Sequence, residues 1–270
     1  MPELPEVETV VRELKTYLPG KKIKRISVYW HKTFVNGCTQ KAEGQTIQSL
    51  SRRGKYILIS LNRSALIVHL RMTGQLLFLQ KEATAKNALH VRTALHFEDG
   101  SVLLFNDVRK FGRIYHVHSV NEKLDRLGVD ALDPQFNASG FYTMLQAANM
   151  NIKAFLLSQR FVSGLGNIYV DESLFRAEIH PASVSKKISR KKAEKLFDTM
   201  RSVLEFAILN MGSTISDYRD ANGNVGNAQH FFYVYQQQGK PCVTCGSAIK
   251  KMKHAGRGTH FCPKCQTLYV

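Results

Sequence analysis

The chain opens Met1-Pro2-Glu3-Leu4-Pro5-Glu6-Val7-Glu8. Removal of Met1 would leave a proline whose secondary amine ends the chain, with the carboxylates of Glu3 and Glu6 within one helical turn. A terminal amine titrates near about pH 8, so part of it is unprotonated and nucleophilic at neutral pH. Apolar residues recur at Leu4, Val7, Val11, Leu14 and Leu18, a helical stripe that would anchor this terminus to a core. Two readings fit these residues equally. One is a reaction centre built on a pinned amine. The other is an ordinary proline-initiated helix whose acids complement its dipole.

Four of the five cysteines form a second constellation. Cys242, Cys245, Cys262 and Cys265 read C-x2-C-x16-C-x2-C, the spacing of a four-thiolate zinc site. A disulfide framework would go with a secretory signal, and none is visible. Cys38 stands alone and reads as a structural thiol. A third feature is Ser163-Gly164-Leu165-Gly166-Asn167-Ile168-Tyr169, a glycine-containing turn opening a helix. Small residues let a phosphate approach the backbone, the helix N-terminus supplies N–H donors, and Asn167 adds a side-chain donor. On its own such a turn is often a mere connector. A formal net charge of +17 raises its weight, because such an excess implies a polyanionic partner, in practice nucleic acid. There is no long apolar run and no amphipathic anchor, so the reading is of a cytoplasmic chain with no membrane contact.

The elements that must position these groups change character along the chain. Tyr56–Leu61, Ala65–Leu70, Gln75–Leu79, Ala94–Phe97 and Val102–Phe105 are short apolar runs that read as strands. The last two flank an Asp99-Gly100 hairpin step. Residues 1–115 thus read as a helix followed by an antiparallel sandwich or barrel. Beyond about residue 121, helices are expected at Asn121–Leu127, Gly140–Ala148, Ile152–Gln159, Ile168–Ala177 and Ser189–Asn210. A Gly- and Asn-rich loop, Gly212–Ala228, follows, and the cysteine module closes the chain. The fold class expected is α+β, divided as 1–115, 116–230 and 231–270.

Six motifs in order resemble the formamidopyrimidine-DNA glycosylases. They are Pro2-Glu3-Leu4-Pro5-Glu6-Val7-Glu8, Ser51-Arg52-Arg53-Gly54-Lys55-Tyr56, His69-Leu70-Arg71-Met72-Thr73-Gly74, Asp107-Val108-Arg109-Lys110-Phe111-Gly112, Gly164-Leu165-Gly166-Asn167-Ile168-Tyr169 and Ala255-Gly256-Arg257-Gly258-Thr259-His260-Phe261-Cys262. Leu4 is similar to the branch acting on oxidised purines; the related endonuclease VIII branch, which favours oxidised pyrimidines, typically has glycine there. The resemblance implies an N-terminal β-sandwich carrying the catalytic helix, and a helical domain with a helix-two-turn-helix and a four-cysteine zinc finger holding one structural Zn2+. Duplex DNA with an oxidised or abasic lesion would bind in the cleft between the domains of a monomer.

What the resemblance implies about residues is specific. Pro2 is the nucleophile at the sugar C1′, Glu3 the proton donor that opens the sugar ring, and Glu6 a supporting carboxylate. Lys55 is associated with β-elimination and Arg257 with δ-elimination. Met72, Arg109 and Phe111 fill the gap left by a flipped nucleotide, where an apolar wedge replaces stacking and an arginine satisfies the orphaned base. His90, Lys153 and Asn167 lie near the DNA. Two stretches depart from the family pattern. Ala147-Ala148-Asn149-Met150-Asn151 stands where basic residues are usual, and Tyr235-Gln236-Gln237-Gln238-Gly239 replaces the usual Tyr-Gly turn. A competing reading is a non-catalytic zinc-ribbon protein that binds nucleic acid. The charge and the cysteines would suffice for it, but it leaves Pro2-Glu3 and the Met72, Arg109, Phe111 set without a role.

Overall fold

The computed structural model describes residues 1–81, 89–215 and 218–270; residues 216–217 of the expected Gly212–Ala228 loop lie outside them. The apolar stripe at the N-terminus becomes helix α1 (Leu4–Tyr17), which starts with a proline in its first turn and the acidic Glu6 close behind. Leu4, Val7, Val10, Val11, Leu14 and Leu18 are all at most 1% exposed. At about 2 kcal/mol per buried aliphatic side chain, this face contributes on the order of 10 kcal/mol, an upper bound. That is what keeps a chain terminus from fraying.

Nine strands follow among the described residues: β1 (Ile23–Val28), β2 (Phe34–Asn36), β3 (Ile47–Arg53), β4 (Tyr56–Leu61), β5 (Ala65–His69), β6 (Gly74–Leu79), β7 (Val91–Phe97), β8 (Val102–Asp107) and β9 (Arg113–Val117). They form a four-stranded sheet in the order β1-β7-β8-β6 and a five-stranded sheet in the order β2-β9-β5-β4-β3. Every pairing is antiparallel except β2 with β9. One core joins both sheets and the helix, with Leu76, Phe97 and Phe105 from the first sheet, Ile57, Leu66 and Ile114 from the second, and Val7, Val11 and Leu14 from α1. The expected sandwich is therefore present.

The second part contains β10 (Val129–Asp130), α2 (Ala138–Ala147), α3 (Ile152–Leu157), β11 (Val162–Ser163), α4 (Asn167–Arg176), α5 (Arg190–Leu209) and a terminal hairpin, β12 (Lys250–His254) with β13 (Arg257–Phe261). Four of the five expected helices are found within a few residues of their expected bounds. The exception is Asn121–Leu127, which is only a short 3-10 turn, Val120–Lys123, capped by Ser119 and Glu122. The chain then extends at once to pair Val129 with Val162 and Asp130 with Ser163 in a parallel ladder.

Contacts divide the chain into two compact units. The first is Met1–Arg126 with Asn210–Gln229; the second is Leu127–Leu209 with His230–Val270. The segment Asn210–Gln229 thus belongs with the sandwich and the cysteine module with the helices.

The tight turn from β5 into β6 supplies a test of this packing. An added Cβ at Gly74 would collide with the Leu70 carbonyl oxygen, a backbone atom that cannot swing away. Gly74→Ala is expected to lower the free energy of unfolding by about 1–3 kcal/mol, read as a shift in the urea midpoint with an unchanged slope.

Candidate active site and nucleic-acid interface

The N-terminus is closed from inside. Pro2 is buried, and Glu3 and Glu6 are 2% and 1% exposed. The Glu6 carboxylate works in two directions. Its Oε2 accepts the Glu3 backbone N–H at 2.8 Å, and its Oε1 accepts the Ser213 N–H at 2.8 Å and the Ser213 hydroxyl at 3.2 Å. Gly212 lies so close that an added Cβ would sit 2.9 Å from Glu6 Cγ, and its φ of +73° independently favours glycine. Farther along α1, Tyr218 donates to the Glu6 carbonyl and the Ala221 N–H donates to Glu13. Burial and the neighbouring Asp220 carboxylate raise Glu13 to about 7. The helix that bears Pro2 therefore also grips the segment that follows residue 210. Pro2 follows Met1 here, so its nitrogen becomes an amine only when Met1 is removed.

The segments that carry Met72, Arg109, Phe111 and His90 are joined through one residue, Asp107. Asp107, fully buried, accepts the Thr73 hydroxyl at 2.5 Å, the Arg109 N–H at 3.2 Å and the Gly112 N–H at 2.7 Å. Its own N–H donates to the His90 carbonyl at 2.9 Å. It thereby binds the Arg71–Thr73 turn, which carries Met72, to the Val108–Gly112 turn, which carries Arg109 and Phe111. The Arg109 guanidinium lies over the Phe111 ring at 5.0 Å, and Phe111 remains 48% exposed. Arg71 and Lys110 hold left-handed backbone, φ 57° and 62°, in these two turns. Such conformations cost non-glycine residues about 1–2 kcal/mol and persist where surrounding structure enforces them. Asp107 and Thr73 lie inside the motifs read from the sequence, but nothing in their types marked them as the joint.

Lys55 sits in the β3–β4 turn and is 7% exposed. Close by, His69 accepts the Arg71 N–H through Nδ1 at 3.0 Å and meets the Tyr56 ring edge-on. Burial, together with the Arg71 and Lys55 cations, pulls the imidazole down to about 3. His69 is thus a neutral acceptor that shapes the turn before Met72.

In the second unit the structure brings Lys153, Asn167 and Arg257 to one hairpin. The Lys153 ammonium is fully buried. It donates to Asp171 Oδ1 at 2.6 Å, to the Thr259 hydroxyl at 2.7 Å and to the Gly258 carbonyl at 3.4 Å. Asn167 Nδ2 donates to the same carbonyl at 2.9 Å. Asp171 Oδ2 accepts the His260 N–H at 2.9 Å and lies 3.3 Å from His260 Nδ1. Lys153 and Asn167, expected near DNA, therefore both act on the β12–β13 hairpin, and Lys153 has no exposed surface with which to meet a solvent-borne phosphate. Arg257, next to Gly258, is exposed. Breaking a buried pair such as Lys153–Asp171 typically costs about 3–5 kcal/mol. The neighbouring Glu172 accepts the N–H groups of Tyr233, Val234 and Tyr235 at 2.9–3.0 Å, while burial pushes its carboxyl upward.

The four cysteine sulfurs lie within 4.8 Å of one another, with Cys242–Cys265 at 3.8 Å and Cys245–Cys262 at 3.5 Å. Zn–S bonds of about 2.3 Å in a tetrahedron require S···S near about 3.8 Å, so the thiolates fit zinc, and four sulfurs leave no open position. The N–H of Thr244 points at Cys242 Sγ and that of Cys265 at Cys262 Sγ, both 3.4 Å. Cys242 and Cys262 pack with Phe175 of α4, which ties the metal module to the helices.

A sandwich with a buried, carboxylate-flanked N-terminus and a helical unit stapled to a four-thiolate finger define an α+β zinc-finger protein. Family models agree on the details. The formamidopyrimidine-DNA glycosylase N-terminal domain matches residues 1–114, the helix-two-turn-helix domain of the same proteins residues 127–219, and a zinc finger found in these proteins and in isoleucyl-tRNA synthetases residues 239–268. The formamidopyrimidine-DNA glycosylase of Oceanobacillus iheyensis is 42% identical over 98% of both chains. The Lactococcus lactis Fpg bound to DNA containing an abasic site has a TM-score of 0.89 at 36% identity, covering 98% of this chain and 100% of that one. A mutant of that protein bound to Fapy-dG-containing DNA gives 0.90 at 37% identity, covering 98% and 99%. The chain belongs to the formamidopyrimidine-DNA glycosylase family, and its finger is a site for one structural zinc ion.

Two measurements test this geometry. An unfolded histidine takes a proton below about pH 6.5, whereas folded His69 does so only near about 3. The stability contributed by the neutral ring is complete above about 6.5 and is lost as the pH falls toward 3. His69→Gln should flatten the acid limb of the stability curve, by about 2–3 kcal/mol between about pH 6.5 and 4.5, in urea titrations across pH. Metal analysis should give one zinc per chain, and a strong chelator should unfold the hairpin that bears Arg257, seen as loss of amide protection from Lys250 to Phe261.

Proposed function

We propose that the chain is a bifunctional base-excision repair enzyme, a DNA glycosylase and abasic-site lyase that removes oxidised purines such as 8-oxoguanine and formamidopyrimidines through a Schiff base on Pro2. The observation that carries the reading is the burial of Pro2, Glu3 and Glu6 at the start of α1. The Glu6 bond to the Glu3 N–H is half of a capping box, a common helix start. What goes beyond it is the burial of both acids and the second Glu6 oxygen held by Ser213. Relatives bind the matching substrate class: the Lactococcus lactis protein is seen on abasic-site DNA and, as a mutant, on Fapy-dG DNA.

The chemistry requires the damaged nucleotide to leave the duplex stack. Met72 and Phe111 occupy the space it vacates and Arg109 pairs with the widowed base, the three being held as a set by Asp107 and Thr73. The Pro2 nitrogen, uncapped by loss of Met1, attacks C1′; the N–C1′ bond forms, the glycosidic bond breaks, and the base departs with a proton. Glu3 protonates the ring oxygen as the sugar opens, leaving an iminium that acts as an electron sink. β-Elimination expels the 3′ phosphate and δ-elimination the 5′ phosphate, with Lys55 and Arg257 at the backbone. Glu6 holds the Glu3 backbone and so fixes the amine. Asn167 and Arg257 grip phosphate, His90 lies at the edge of this surface, and Lys153 acts by holding the Arg257 hairpin. Zinc, when bound, supplies no chemistry and keeps that hairpin folded. No helix among the described residues is long and apolar enough to cross a membrane, and a cytoplasmic, DNA-associated monomer in a bacterial cell fits the reading.

Borohydride trapping on a duplex with an abasic site tests the nucleophile. The processed protein should be captured covalently, and a protein with one residue added before Pro2 should not. Pro2→Gly, which keeps a primary amine, should retain part of the trapping, and Glu3→Gln should lose base excision while still binding DNA. Full excision by the N-terminally extended protein would end the Schiff-base assignment. A non-catalytic zinc-ribbon protein would bind the same duplex without being trapped.

A further inference from the structure

The stretch Tyr235–Gly239, where the family's usual Tyr-Gly turn is absent, has a structural signature. Gln236 holds a left-handed backbone, φ 59°. This is a conformation natural to glycine and strained for glutamine. The strain is enforced from both sides. Glu172 anchors the three preceding N–H groups, and Gln237 N–H closes back on the Val234 carbonyl at 3.0 Å. Such strain persists where the surrounding structure enforces it, as at Arg71 and Lys110, and at a functional site it goes with a reason for keeping the side chain.

The surroundings supply one. Gln236 and Gln238 line a cleft of about 560 Å³ together with Asn167, Lys251, Arg257 and His260. Every group named here is polar or cationic, and none is acidic. His260 is 4% exposed, its Nδ1 lies against Asp171, and its Nε2 has no hydrogen-bond partner among the described residues. Lys251 pairs opposite His260 in the hairpin, and its Cε would lie 3.4 Å from a Cβ on Gly258. Its stem thus runs across the strand that begins with Arg257. Strand alternation turns the neighbouring Lys250 to the other face.

We propose that Gln236 and Lys251 are backbone-contact residues for DNA, extending the phosphate site of Asn167 and Arg257 so that the cleft holds a second phosphodiester. Lys251 neutralises charge, whereas the Gln236 amide donates a hydrogen bond without charge. This assignment rests on the DNA-binding reading above and adds two residues to it.

The test uses the processed full-length protein with zinc bound and a duplex carrying a tetrahydrofuran abasic analogue, with affinity measured against salt. Gln236→Gly should raise the melting temperature by about 2–4 °C as strain is released. It should also weaken binding by about three- to tenfold with an unchanged salt slope, because the lost contact is a neutral hydrogen bond. Opposite signs of stability and affinity are the mark of a ligand contact, since a purely structural glutamine would not weaken binding while the protein gained stability. Lys251→Gln should flatten the slope of log affinity against log salt by about one unit, and Lys250→Gln should leave it unchanged. Wild-type affinity in Gln236→Gly, or equal slopes for the two lysine variants, overturns the assignment. Failure of the unaltered protein to bind the duplex at all overturns the DNA reading itself, and the extension with it.

Discussion

The Glu6 carboxylate is the interaction on which the first unit depends. A terminal amine is useful only if the least constrained part of a chain is held as firmly as a core residue. The apolar face of α1 fixes the helix, but it cannot fix the residues ahead of it. Glu6 does so by accepting the Glu3 N–H, and with its other oxygen it takes the Ser213 N–H and hydroxyl. One buried carboxylate thus sets both the terminus and the segment after residue 210. The requirement for glycine at 212 follows directly, because any side chain there would displace the carboxylate.

The same device recurs. Asp107 joins two turns, Asp171 joins a helix to a hairpin, and Glu172 holds three successive N–H groups of the chain leading to Tyr235. In each case an acid is turned inward, onto backbone donors that would otherwise be buried without partners. The exterior charge changes accordingly. A chain with formal net charge +17 conceals several of its acids and leaves cations such as Arg257 and Lys251 exposed. The internal scaffold and the positive exterior are two outcomes of one distribution of carboxylates.

Much of this was legible in the sequence, for identifiable reasons. Strands β4 and β5 read clearly because both of their faces are covered and their residues are nearly all apolar. Strands β1 and β3 did not, since Ile23–Val28 and Ile47–Arg53 interleave lysine, arginine and serine on an exposed face. The cysteine spacing gave the finger without ambiguity, because four sulfurs at that spacing have few other uses. The helix expected at Asn121–Leu127 failed because the capping residues Ser119 and Glu122 are real, while the chain beyond them is claimed by a parallel ladder with Val162. No local pattern could show that pairing. Lys153 was placed near the DNA by the family resemblance. Its burial was not visible, since that depends on Asp171 and Thr259, the latter more than a hundred residues away.

Lys153 also shows how the second unit couples its parts. The zinc-binding cysteines fix the base of the β12–β13 hairpin through the packing of Cys242 and Cys262 with Phe175. Nothing about a four-thiolate site fixes the hairpin's far end, where Arg257 sits. That end is held instead from the helices, by Lys153 and Asn167 on the Gly258 carbonyl and by Asp171 on the His260 N–H. Because the Lys153 ammonium is fully desolvated, its partners are worth more together than apart, and losing one strands a charge in the interior. The metal and the buried ion pair are therefore not redundant: one makes the hairpin fold, and the other aims it. On the proposed reading, in which Arg257 meets a phosphate, both are needed, since a folded but loosely aimed hairpin would keep its charge and lose its geometry.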